Sequence, residues 1–115
     1  MYHLKYTVEA DEIIKHLRDA ALTAHENRKI KNKSKASKQE GLYKQLHKTL
    51  QFLSQNPKHP GLNTHEYNSL KNPFNPNEKV FEAYVQNNTP GAYRVFWCYG
   101  PNKMEITIVT VTAHP

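Results

Sequence analysis

Apolar residues recur along the first half of this chain at helical spacing and along the last third at strand spacing. Ala10, Ile13, Ile14, Leu17, Ala20, Ala21 and Ala24 fall three or four residues apart, the pattern of one face of an amphipathic helix. The predicted helix runs from Glu9 to Lys29. Thr7 is its expected cap, and Glu9, Asp11 and Glu12 suit the positive end of the helix dipole. Before it, Tyr2–Val8 (YHLKYTV) alternates loosely and predicts a first strand. Lysine dominates Ile30–Ala36, a turn or a frayed continuation of the helix. Ser37-Lys38-Gln39-Glu40 then matches a capping box, in which the serine and glutamate side chains each satisfy a free backbone N–H. Leu42, Leu46, Leu50 and Leu53 continue as one stripe, so a second helix follows, ended by Asn56-Pro57 because a residue before proline disfavours the helical region. Two such helices joined briefly make an antiparallel hairpin whose apolar stripes face a core.

The pattern changes after Pro57. Pro57, Pro60, Pro73 and Pro76 break the next twenty residues, leaving room for a short strand within Leu62–Leu70 and a loop over Lys71–Asn77. Lys79–Gln86, Ala92–Tyr99 and Met104–Thr112 are the next predicted strands. Asn87–Gly91 and Gly100–Lys103 join them with the asparagine, glycine and proline that hairpin turns need. The fold class is therefore α+β: one domain over residues 1–115, ordered β-α-α-β-β-β, with the helical hairpin on one face of a small, largely antiparallel sheet. The other face is expected to be partly open and able to take a ligand.

Composition narrows the picture. The chain of 115 residues has a net charge of +6 and a mean hydropathy of −0.83, so one modest core sits under a very polar surface. No apolar run approaches the about 20 residues that cross a bilayer, and the N-terminus lacks the apolar stretch of a signal peptide. A lone cysteine, Cys98, makes no internal disulfide, which points to a reducing, cytoplasmic setting. The bases cluster: Arg28, Lys29, Lys31, Lys33, Lys35, Lys38, Lys44 and Lys48 lie in a stretch whose one acid is Glu40. Such a surface favours an acidic partner, nucleic acid first; a solvated lysine face and an acidic protein partner are the alternatives.

Metal and nucleotide chemistry have little to stand on. No two of the seven histidines form an H-x-x-x-H pair, so no metal site is expected. There is no phosphate-cradling glycine motif, and no cofactor is implied. Cys98 reads as a small buried residue rather than a nucleophile. Arg94, inside a strand, offers a planar fork of donors suited to phosphate. His114, at the end of the last strand, suits proton exchange near neutral pH. Together they fit RNA cleavage by its own 2′-hydroxyl. The alternative is that Arg94 pairs with Glu82 or Glu105 across strands and His114 is a frayed terminal residue. A simple Gly100–Lys103 turn sets Tyr99 opposite Met104 and Arg94 near Val109, which faces away from His114; a one-residue bulge would bring Arg94 and His114 onto one face.

The layout, P-G-L after the second helix, VFEAYV, AYRVFW and a closing strand ending in histidine resemble the RelE/ParE toxin superfamily, within it the RelE-like toxins of bacterial toxin–antitoxin systems. The resemblance covers nearly the whole chain and is strongest over Asn56–Pro115. It implies a ribosome-dependent mRNA endonuclease that needs no metal, acts by 2′-hydroxyl attack on the scissile phosphate, and is neutralised by a cognate antitoxin. Arg94 matches the arginine that contacts that phosphate, and His114 the histidine some relatives use as acid or base. Lys35, Lys38, Lys44, Lys48 and Lys71 would hold RNA or ribosome. Three features depart from the family. Tyr84 stands where many relatives carry a second arginine, and it could stack on a base or donate a hydrogen bond. Gly61 replaces an acid that some place after the second helix, with His65 and Glu66 close enough to substitute. The lysine-rich connection between the helices is longer than the usual tight turn. A non-catalytic relative, or a ParE-like gyrase inhibitor, shares the same resemblance.

Overall fold

The computed structural model describes residues 1–86 and 91–113. The elements are β1 (His3–Tyr6), α1 (Val8–Ile30), α2 (Lys38–Gln55), a short 3-10 turn (Pro60–Leu62), β2 (His65–Glu66), β3 (Phe81–Tyr84), β4 (Tyr93–Tyr99) and β5 (Glu105–Ala113). They form two helices on a five-stranded mixed sheet of order β1-β5-β4-β3-β2. β1 runs parallel to β5 and the other pairs are antiparallel. The α+β class, the helical hairpin and the mostly antiparallel sheet follow the expectation.

Both helix starts are built as their sequences imply. Thr7 Oγ1 accepts from the Ala10 N–H, and Ser37 and Glu40 make the reciprocal capping box. The connection at residues 31–37 turns through Asn32 in the left-handed region, with φ of 54°. Arg28 ties it down, donating to both carboxylate oxygens of Glu40 and to the carbonyls of Lys33 and Ser34.

Leu46 and Leu53 of α2 and Ala10 of α1 bury against Ala83, Val95, Trp97, Ile106, Ile108 and Val111. Alternation along the strands then sends Glu82, Tyr84, Arg94, Phe96 and Cys98 to the opposite face. Much of that face is covered too: Glu82, Arg94, Phe96, Cys98 and Thr107 are all buried, with Tyr67 against Phe96 at 4.7 Å between ring centres. The second face, expected to be partly open, is thus mostly covered, with His65 at its exposed edge. The strand expected within Leu62–Leu70 shrinks to His65–Glu66, because Asn63 adopts a left-handed conformation and the 3-10 turn occupies its start.

The β4–β5 register also differs from a simple hairpin. Tyr99 pairs with Ile106 rather than Met104, because the connection takes Gly100 (φ 106°) and Met104 (φ 61°) into positive φ and spends two more residues on the turn. Past Trp97–Ile108 the register slips by one, so that Phe96 meets Thr110 and Val109 is the extra residue. This bulge sets Arg94 opposite Thr112, not near Val109. Thr7 holds it, donating from Oγ1 to the Val109 carbonyl at 2.7 Å and from its N–H to the Ile108 carbonyl.

Candidate functional site

At one end of the β2-β3-β4 edge, four side chains meet on the face away from the helices. Arg94 and Tyr84 are direct cross-strand partners, as are Glu82 and His65. The Arg94 guanidinium carbon lies 4.1 Å from the centre of the Tyr84 ring, a cation–π contact. Arg94 Nη1 also donates to the carbonyls of Ala92 and Tyr93 at 3.2 Å. The side chain has further contacts besides these, and Arg94 is only 1% exposed.

His65 completes the group. Its Nε2 sits 2.5 Å from Glu82 Oε1, its Nδ1 is 3.1 Å from the Asn63 carbonyl, and its ring meets Tyr84 edge-on at 5.8 Å. Its two partners are thus a carboxylate oxygen and a backbone carbonyl. The His65 side chain is 48% exposed while that of Glu82 is 5% exposed. The pair therefore joins a buried carboxylate to a ring that faces solvent.

On the helix side of the same strand, a hollow of about 170 Å³ is lined by Tyr84 and Val85 together with Gln45, Lys48 and Thr49 of α2. Thr49 bridges the two elements, its hydroxyl between the carbonyls of Gln45 and Tyr84. Lys48 lies with its ammonium 5.6 Å from the Phe52 ring centre. Of the expected cationic residues, Lys48 is the one that lines this hollow. Lys44 shares the exposed side of α2 with it, lining a shallow hollow around His47 and Phe52. Lys35 and Lys38 lie at the far turn of the helical hairpin and Lys71 lies in the exposed loop after β2; none hydrogen-bonds or pairs with the four side chains.

Three of the four residues singled out from sequence therefore come together: Arg94, Tyr84 and His65. The fourth, His114, lies outside the described residues. Neither carboxylate expected as a structural partner of Arg94 takes that part, since Glu82 engages His65 and Glu105 engages Lys5 at 3.2 Å. Glu82 is the member that sequence reasoning assigned elsewhere. Its signal was an acid in mid-strand between Phe81 and Ala83, where a charge must find a partner. Cys98 is fully buried, and burial pushes its thiol up to about 11, which removes it as a nucleophile at neutral pH.

Comparison of the chain with protein-family models, with curated proteins and with solved structures returns no match in any of the three.

Proposed function

We propose that the protein is a RelE-like, ribosome-dependent mRNA endonuclease held in check by a cognate antitoxin. The observation that carries this reading is the convergence of Arg94, Tyr84 and the His65–Glu82 pair at one end of the sheet. The order of a strand, a helical hairpin and a closing run of antiparallel strands fits the RelE-like layout, and the cationic helix surface suits RNA.

In this reading the ribose 2′-oxygen attacks the adjacent phosphorus and the bond to the 5′-oxygen breaks, giving a 2′,3′-cyclic phosphate and a 5′-hydroxyl. The 2′-hydroxyl loses a proton and the departing 5′-oxygen gains one. The His65–Glu82 pair exchanges one of these protons; the resemblance assigns the other to His114. Arg94 neutralises the crowded phosphate, a contribution of about 10² to 10³ in rate for one such donor. Tyr84, in place of a second arginine, stacks on a base beside the cut. Because Arg94 is covered, phosphate reaches it only once the cover, of which the Tyr84 ring is part, moves aside.

That same burial favours a second reading, a non-catalytic RelE-like binding protein or a ParE-like gyrase inhibitor in which Arg94 is structural. Expression without an antitoxin separates them. A nuclease arrests growth and translation, and Arg94→Ala relieves the arrest. Arrest that persists in Arg94→Ala with intact mRNA selects the second reading, and lost gyrase activity selects its ParE branch.

A further inference from the structure

A second cleft lies at the other end of β3 and β4 and on the opposite face of the sheet. Phe81 and Trp97 pair there, about 10 Å along the strand from the Tyr84–Arg94 pair. The cleft encloses about 470 Å³, within the range of small-ligand sites. Phe81, Trp97 and Tyr99 give it an aromatic wall, with Phe81 stacked on Trp97 at 4.8 Å and Tyr99 edge-on to Trp97 at 5.0 Å. Pro57 and Pro60 add apolar surface.

Its polar groups are mainly donors. Trp97 is 1% exposed, and its Nε1–H has no hydrogen-bond partner among the described residues; neither has the buried Thr64 Oγ1, on the same cleft. A buried indole N–H ordinarily finds an acceptor. His59 accepts the Gly61 N–H at Nδ1 and stacks on Phe52 at 4.2 Å, so its neutral ring carries its proton on Nε2. Lys58 adds a charge, and no carboxylate is found among the described residues that line the cleft. An aliphatic or phenyl anchor would leave these donors unanswered. A flat, acceptor-bearing ring with a negative group attached answers all of them.

We propose that this cleft binds a nucleobase, its ring against Phe81 and Tyr99, its acceptor edge toward Trp97 Nε1–H, and its phosphate near Lys58. A strand rather than a free nucleotide is the expected source. Phe81 and Tyr99 also line a hollow of about 380 Å³ together with Glu78 and Lys79, the lysine paired with Glu66 at 2.8 Å, so a neighbouring base has a place across the same aromatic pair. Stacking platforms flanked by lysine are how single-stranded nucleic acid is held without strict sequence choice. This binding does not depend on cleavage at the Arg94 end: it is read with a DNA strand, which has no 2′-hydroxyl to attack, so loss of the nuclease reading and loss of this one are separately visible.

Trp97 is the only tryptophan, so the protein gives a single indole N–H signal in a proton–nitrogen spectrum. A single-stranded DNA oligonucleotide, a nucleoside monophosphate, ribose 5-phosphate and heparin are titrated in turn. The indole signal is expected to move with the oligonucleotide and, at higher concentration, with the mononucleotide, but not with the two base-free polyanions or sugars. Calorimetry is expected to show Trp97→Phe and the surface variant Lys58→Ala each weakening oligonucleotide binding about tenfold. Equal affinity for mononucleotide would keep the base site and make a free nucleotide its ligand. An indole signal unmoved by every base-bearing ligand, or moved equally by heparin, overturns the proposal even if the variants fail to fold.

Discussion

The guanidinium of Arg94 rests 4.1 Å from the ring centre of Tyr84, its direct partner across β3 and β4. An arginine in mid-strand is costly unless something holds its charge, and here an aromatic face does so from the adjacent strand. Tyr84→Phe keeps that face and is expected to keep stability. Tyr84→Ala removes it and is expected to destabilise by about 1 to 3 kcal/mol, the packing and cation–π terms together. Urea unfolding of the two variants beside the parent checks this; equal loss in both would mean that the hydroxyl, not the ring face, is what matters.

His65 and Glu82 form the second relationship. His65→Ala leaves a buried carboxylate without its partner and is expected to cost about 1 to 2 kcal/mol, toward the low end for an orphaned buried group because His65 is half exposed. A double-mutant cycle with Glu82→Gln should return a coupling of the same sign. Additive effects would show that the two residues act separately.

Glu40 gives the fold an acid limit. Arg28, which hydrogen-bonds its carboxylate, and then the Ser37 backbone N–H hold Glu40 well below its ordinary value of 4.5. A carboxylate lowered by folding stabilises the native state fully above its unfolded value and progressively less as pH falls toward the folded one. Stability should therefore be flat above about pH 5.5 and decline below about pH 4.5, with the helical hairpin loosening first. Glu40→Gln should flatten that decline and lower the plateau. A decline of the same slope in both proteins would show that other groups set the acid limit.

Cys98 should behave as a core residue. Its thiol, raised to about 11 by burial, is expected to resist alkylation in native protein at neutral pH and to react readily in urea. Cys98→Ala should leave any growth arrest unchanged. Rapid native labelling or loss of activity in that variant would restore it as a reactive group.

The helices were legible in the sequence because their signals are local. Thr7, Ser37 and Glu40 cap within three residues of themselves, and the leucine stripe of α2 needs nothing outside the helix. The closing strands were legible by alternation, and Tyr84 and Arg94 were marked by residue type. What the sequence leaves open or misplaces is non-local. The bulge at Val109 is fixed by Thr7, over a hundred residues earlier, and no feature near Val109 announces it. The β4–β5 register depends on Gly100 and Met104 at positive φ, an arrangement the turn residues permit without requiring. His65 stands out in the sequence only as a neighbour of Gly61, and its partner Glu82 is adjacent to it only through the short β2–β3 pairing. Cover over the second sheet face comes from the 67–79 region, whose prolines and asparagines read as an exposed loop although Asn72 is buried.

Whether the Arg94 cluster cuts RNA is tested most directly with the purified chain, programmed ribosomes and a defined mRNA. Cleavage of the message on the ribosome is predicted, leaving a 2′,3′-cyclic phosphate, with Arg94→Ala slowing it by about 10² or more and His65→Ala also slowing it. Intact mRNA with the parent protein, or cutting that Arg94→Ala leaves at full rate, would contradict the account.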